Sequence, residues 1–154
     1  MNRIALALAT ALGAGYAPVA PGTFGSAAGL LLWWVLPQDT TVQLIAIVVV
    51  FVLGAWGGSV AERHFNQTDP GQVVIDEVLG MLITMFLNPV GWLGALLGFL
   101  LFRASDIVKP YPANKLEALH GGVGIMADDA MAGVYSNLAL RLALMAAASM
   151  HWTL

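Results

Sequence analysis

Asp76-Glu77, Asp106 and Asp128-Asp129 place five carboxylates in a chain that carries only nine acidic residues. Carboxylate oxygens are the ligands of hard divalent cations, and crowded acids in an apolar chain need a neutralising charge. A Mg²⁺ ion held by Asp76, Glu77, Asp128 and Asp129 meets that need, with Asp106 as a further ligand or as the base that orients a water. The competing reading is helix capping, because Asp76 and Asp128 both stand where a helix is expected to begin. Arg103, Asp106 and Lys109 recur at a spacing of three, which puts them on one helix face. They read either as a phosphate clamp, a guanidinium fork beside a lysine point charge, or as an ion-pair ladder at the interface. Two glycine-rich stretches, Gly22-Thr23-Phe24-Gly25-Ser26 and His120-Gly121-Gly122-Val123-Gly124, either offer backbone N–H groups to an anion or are flexible turns. The second has no strand before it and so carries no dinucleotide signal. His120 is a candidate general acid or a structural hydrogen-bonder.

These polar groups sit in an apolar background. Of 154 residues, 59% are hydrophobic and 10% charged, against roughly half and a quarter in soluble domains. The mean hydropathy is +0.81. Fifteen charges cannot cover a soluble surface of this size, so the chain reads as one integral membrane domain over residues 1–154. A net charge of −3 argues against a nucleic-acid partner. The lack of cysteine removes disulfides, thiolate metal sites and cysteine-nucleophile chemistry. Twelve of the fifteen charged residues lie between Glu62 and Asp129, a polar centre flanked by apolar segments.

The elements that must position this centre are helices, four or five of them in a small all-α membrane bundle. Residues 4–14 are apolar behind Arg3; they resemble a signal peptide but run into Pro18-Val19-Ala20-Pro21-Gly22, and a short retained helix is expected. Thr23 or Ser26 can cap a second helix that ends before Pro37. Val42–Ala61 is close to the ~20 residues that span a bilayer core. From Ile75 to Ile107 the pattern is helical, but Asn88-Pro89 breaks it into two antiparallel helices, about 76–87 and 91–108. At 1.5 Å per residue, Asp76 and Asp106 then both lie ~20 Å from the turn. Residues 109–127 read as a loop with a short helix near 113–119, and a last helix runs from about Asp128 to Met150. The five acids therefore converge at one end. Arg3, Arg63, Arg103, Lys109 and Lys115 gather there too, which by the positive-inside rule puts the site in the cytoplasm. Arg141 falls mid-helix, and either pairs with a carboxylate or marks a shorter or more tilted helix. The five tryptophans suit bilayer interfaces or packing.

Four segments taken together resemble the phosphatidylglycerophosphatase A family: Ala20–Ser26, Ile75–Met81, Phe102–Pro110 and His120–Asp129, with Ala132-Gly133 behind. The match runs in order from about residue 10 to 135. The resemblance implies a bacterial cytoplasmic-membrane enzyme, multi-pass, that removes the terminal phosphate of phosphatidylglycerophosphate with Mg²⁺ to give phosphatidylglycerol. It implies a catalytic set of Asp76, Glu77, Asp106, Asp128, Asp129 and His120, with phosphate bound by Arg103, Lys109, Thr23, Ser26, Gly121 and Gly122. An aspartyl-phosphate mechanism lacks its Asp-x-Asp motif here, and the motifs of histidine-nucleophile lipid phosphatases are missing. A metal-activated water remains. The alternative is a small membrane cation transporter or channel, in which acids would be spread along a path at mid-bilayer. A CDP-alcohol phosphotransferase would need an Asp-Gly, Ala-Arg acidic signature that this chain does not have. Oligomeric state stays open.

Overall fold

The computed structural model describes residues 2–116, 119 and 121–150. Among the described residues there are α-helices and one 3-10 segment, and no strand. The helices are α1 (Arg3–Ala9), α2 (Pro21–Val35), α3 (Thr40–Phe65), α4 (Ile75–Met85), α5 (Trp92–Val108), α6 (Ala113–Leu116) and α7 (Gly122–Ser149). The 3-10 segment, Ala11–Tyr16, follows α1 and bends through Leu12 at φ 58°.

The two longest helices set the thickness of the molecule. α3 has 26 residues and α7 has 28, ~39 and ~42 Å of helix against a hydrocarbon core of ~30 Å. Both are apolar enough to cross a membrane. Their outer faces expose Ile45, Val48 and Val52 on α3, and Leu138, Leu142 and Met145 on α7. Burial of these side chains is left to lipid; the chain is a membrane protein.

α4 is the central helix, with nine of its 11 residues buried. It packs between α2 and α7. On α2 the buried residues Gly22, Gly25, Ser26, Gly29 and Trp33 form one stripe. A Cβ on Gly25 or Gly29 would run into the α4 backbone at Val74 or Val78, the close approach that small residues allow between membrane helices. α2 begins at Pro21, whose missing N–H is no loss at a first helical position. The expected caps are thus corrected: Thr23 lies inside the first turn, and Ser26 further in donates its hydroxyl to the Gly22 carbonyl at 2.8 Å.

The hairpin breaks where proline requires it, with residues 86–91 between α4 and α5. Asn88 is buried, and its side-chain amide donates to the Thr84 carbonyl at 3.1 Å. Carbonyls at the end of α4 also accept from α7. The Asn137 amide donates to Ile83, Thr84 and Phe86 carbonyls at 3.0, 2.9 and 2.8 Å. Arg141 holds the Asn137 oxygen at 2.8 Å and reaches the Phe86 carbonyl at 3.2 Å. The mid-helix arginine is thereby explained without a carboxylate: it serves the broken end of α4.

α7 begins six residues before the expected Asp128. The Gly122 N–H donates to the Ser59 hydroxyl at 2.9 Å, and a Cβ on Gly122 would strike the Ala55 carbonyl of α3. That interhelical seat offsets the poor helix propensity of glycine, so the stretch read as a loop is the first turn of a helix.

Candidate active site

Four helix ends meet on the side of the bundle opposite the hairpin turn. α4 supplies Asp76 and Glu77 in its first turn, and α5 supplies Arg103 and Asp106 near its last. α7 supplies Asp129 two turns after its start, and α2 lays Gly22 over them. Oxygens of Asp76, Glu77 and Asp129 lie within 4.8 Å of one another. Asp76 is 9% exposed and Asp129 2%. Each acid also presents a buried oxygen with no hydrogen-bond partner among the described residues: Asp76 Oδ1, Glu77 Oε2 and Asp129 Oδ2. Three such atoms at one point, all hard oxygen donors, fit a divalent cation.

Arg103 forms the rim. Its Nη1 pairs with Asp106 one turn on, lies 3.9 Å from Glu77 Oε1, and donates to the Ser26 hydroxyl at 3.5 Å. Asp106 is close enough to interact with both Glu77 and Asp129. Gly22 is required by this geometry: a Cβ there would meet Glu77 Oε1 and Arg103 Nη1.

Several expected participants stand elsewhere. Asp128 is not in the three-acid group: its Oδ2 accepts from Lys109 Nζ at 2.8 Å and its Oδ1 from the Asp129 N–H at 2.9 Å. Neighbours inside a helix diverge by ~100°, so the two carboxylates, both buried, reach different partners. Glu77 escapes that limit beside Asp76 because it has one more methylene and lies at a helix start. Lys109, expected to clamp phosphate, holds Asp128 and ties the end of α5 to α7. Gly121 and Gly122 lie ~10 Å along α7 from Asp129, and the Gly122 N–H is committed to Ser59. Thr23 is exposed in the first turn of α2. His120 lies outside the described residues. Sequence reasoning missed the role of Gly22 and Ser26 as the surface against which Glu77 and Arg103 pack; the small residues repeating every three or four positions in α2 were the available signal.

The fold and site together define a helical membrane enzyme with a carboxylate centre at one end of its bundle. Residues 7–144 match the family Phosphatidylglycerophosphatase A, and the chain belongs to that family of phosphatases. It is 37% identical over 145 residues to a Bacteroides thetaiotaomicron protein named for phosphatidylinositol-3-phosphatase activity, covering 88% of this chain and 91% of that one. It is 36% identical over 133 residues to the phosphatidylglycerophosphatase A of Escherichia coli, covering 84% and 77% of the two chains. The Haemophilus influenzae phosphatidylglycerophosphatase A gives the same identity, with 84% and 82% covered. No solved structure matches the chain.

Proposed function

We propose that this protein hydrolyses the terminal phosphomonoester of phosphatidylglycerophosphate to phosphatidylglycerol and phosphate, using Mg²⁺, at the cytoplasmic face of a bacterial inner membrane that it crosses more than once. The carrying observation is the set of three buried, unpartnered carboxylate oxygens directly beside Arg103, a cation site next to an anion site. Asp76, Glu77 and Asp129 are the residues that would hold Mg²⁺. The chemistry such an ion supplies when bound is Lewis acidity toward phosphoryl oxygens and water.

The remaining steps belong to the chain. Arg103 binds non-bridging phosphate oxygens through its fork, and Asp106 and Ser26 fix the plane of the guanidinium. Asp106, whose side chain is 14% exposed, accepts the proton of the attacking water. As water oxygen bonds to phosphorus, the bond to the glycerol oxygen breaks; that oxygen takes a proton from solvent water, and Asp106 returns its proton to solvent. Lys109 and Asp128 act by holding the α5 end against α7. A transporter reading has less support, since the acids gather at one end beside a cation instead of along a path.

The relative named for phosphatidylinositol-3-phosphatase activity gives a second substrate reading, because both lipids carry a phosphomonoester beside a phosphodiester. Phosphate release by the purified protein from each lipid, with Mg²⁺ and with EDTA, tests both. The expected result is Mg²⁺-dependent release from phosphatidylglycerophosphate. Release from phosphatidylinositol 3-phosphate alone reverses the substrate assignment, and release unaffected by EDTA removes the cation.

A further inference from the structure

The outward face of α2 differs from its glycine face. Ala27, Leu30, Leu31 and Trp34 form a stripe at helical spacing, and with Phe99 of α5 they wall an apolar groove of about 270 Å³. The groove lies between α2 and α5, which touch each other lightly. Its upper end adjoins the candidate site through neighbouring positions on both helices. Ala27 follows Ser26, and Phe99 stands one turn below Arg103 on the same face of α5. Ser26 and Arg103 themselves close the seam at 3.5 Å.

We propose that this groove seats an acyl chain of the lipid substrate while its phosphate is held at Arg103. The inference rests on the reading of the protein as a lipid phosphatase and names how it takes a substrate that never leaves the bilayer. Charge and polarity run in the order of a phospholipid: a guanidinium at the head, a hydroxyl below it, then an unbroken apolar wall. From Ser26 to Trp34 the groove descends ~12 Å, most of the ~15 Å hydrocarbon depth of one leaflet. Leu31 and Trp34 are 66% and 54% exposed, so an entering chain meets no protein lid and slides in from the side. Bulk lipid can cover the same side chains, and the test must separate the two occupants.

The groove is filled by Ala27→Trp or Leu31→Trp, while Val52→Trp, on the exposed face of α3, adds the same bulk elsewhere. Turnover is measured on phosphatidylglycerophosphate with dihexanoyl and with dipalmitoyl chains in mixed micelles. The wild type and the Val52→Trp variant should prefer the long-chain lipid. The groove variants should lose about tenfold in kcat/KM on the long-chain lipid, the equivalent of roughly two buried methylenes, and change little on the short one. A phosphatidylglycerophosphate with a diazirine on one acyl chain should label residues 27–34 of the wild type, and unlabelled substrate should suppress that labelling. Turnover by groove variants indistinguishable from Val52→Trp, or label spread evenly onto α3, overturns the groove and leaves the phosphatase standing. No turnover by the wild type at any chain length overturns the phosphatase reading itself.

Discussion

A buried polar atom with no partner costs about 1–3 kcal/mol, and more when it is charged. Asp76, Glu77 and Asp129 each carry one such oxygen at the same point, so their arrangement is stable only with something positive or a proton between them. If that is Mg²⁺, saturating the detergent-solubilised protein at about a hundred times Kd should stabilise it by ~2.7 kcal/mol, read as a rise in melting temperature. Asp129→Asn or Asp76→Asn should abolish turnover and most of this rise while the protein stays folded; wild-type turnover in either variant would remove that residue from the ion. Asp128→Asn should behave differently. With its carboxylate on Lys109, the variant should keep its Mg²⁺ response and lose melting temperature, and loss of the response would return Asp128 to the ion. Arg103→Ala should lower kcat/KM by roughly 10²-fold, and Arg103→Lys should recover part, since a point charge cannot replace the fork. An unchanged kcat/KM with a lowered melting temperature would make the Arg103–Asp106 pair a structural ladder.

At the scale of elements, activity and stability separate along the bundle. Asn137 and Arg141 serve the carbonyls at the far end of α4, and Asn137 lies ~12 Å along α7 from Asp129. Asn137→Ala removes one donor from each of three carbonyls and the acceptor of Arg141, so it should destabilise by about 1–3 kcal/mol while kcat of the folded fraction is retained, which thermal melting and active-site titration together can read. A fall in kcat at constant stability would show that the α4 end is coupled to the site. The same elements show what a sequence carries and what it withholds. The break at Asn88-Pro89 is legible, because proline removes a donor whatever surrounds it. So is the meeting of α4 and α5 acids at one depth, which follows from rise per residue. The start of α7 is not, since it depends on Gly122 seating against Ala55 and Ser59, residues more than sixty positions away. That shift places Asp128 mid-helix, where its carboxylate diverges from the Asp129 carboxylate and reaches Lys109, so one unreadable packing contact altered two expected roles. The service Arg141 renders to Phe86 is hidden for the same reason.

The whole molecule is asymmetric in its charge, and the asymmetry bears on the proposed orientation. Arg103 and Lys109 lie at the end that holds the carboxylate centre, as does Arg63 in the last turn of α3. The opposite end has the α2–α3 connection at residues 36–39, where the side chain of Asp39 caps α3, and the hairpin turn at 86–91. Arg141 belongs to that half but is spent on Asn137 and a carbonyl, so it does not offer a free charge to the aqueous face. Basic residues flanking spans are retained in the cytoplasm, which supports the proposed cytoplasmic placement of the site. The absence of cysteine makes this testable without a background to remove. A single cysteine in place of Gln38, which is exposed between α2 and α3, should react in intact spheroplasts with a membrane-impermeant maleimide. One in place of Lys115, exposed on α6, should react only after permeabilisation. The same two variants should retain turnover, since neither side chain belongs to the site. The reverse labelling pattern would put the carboxylate centre outside the cell, where it would need a substrate delivered across the bilayer before hydrolysis.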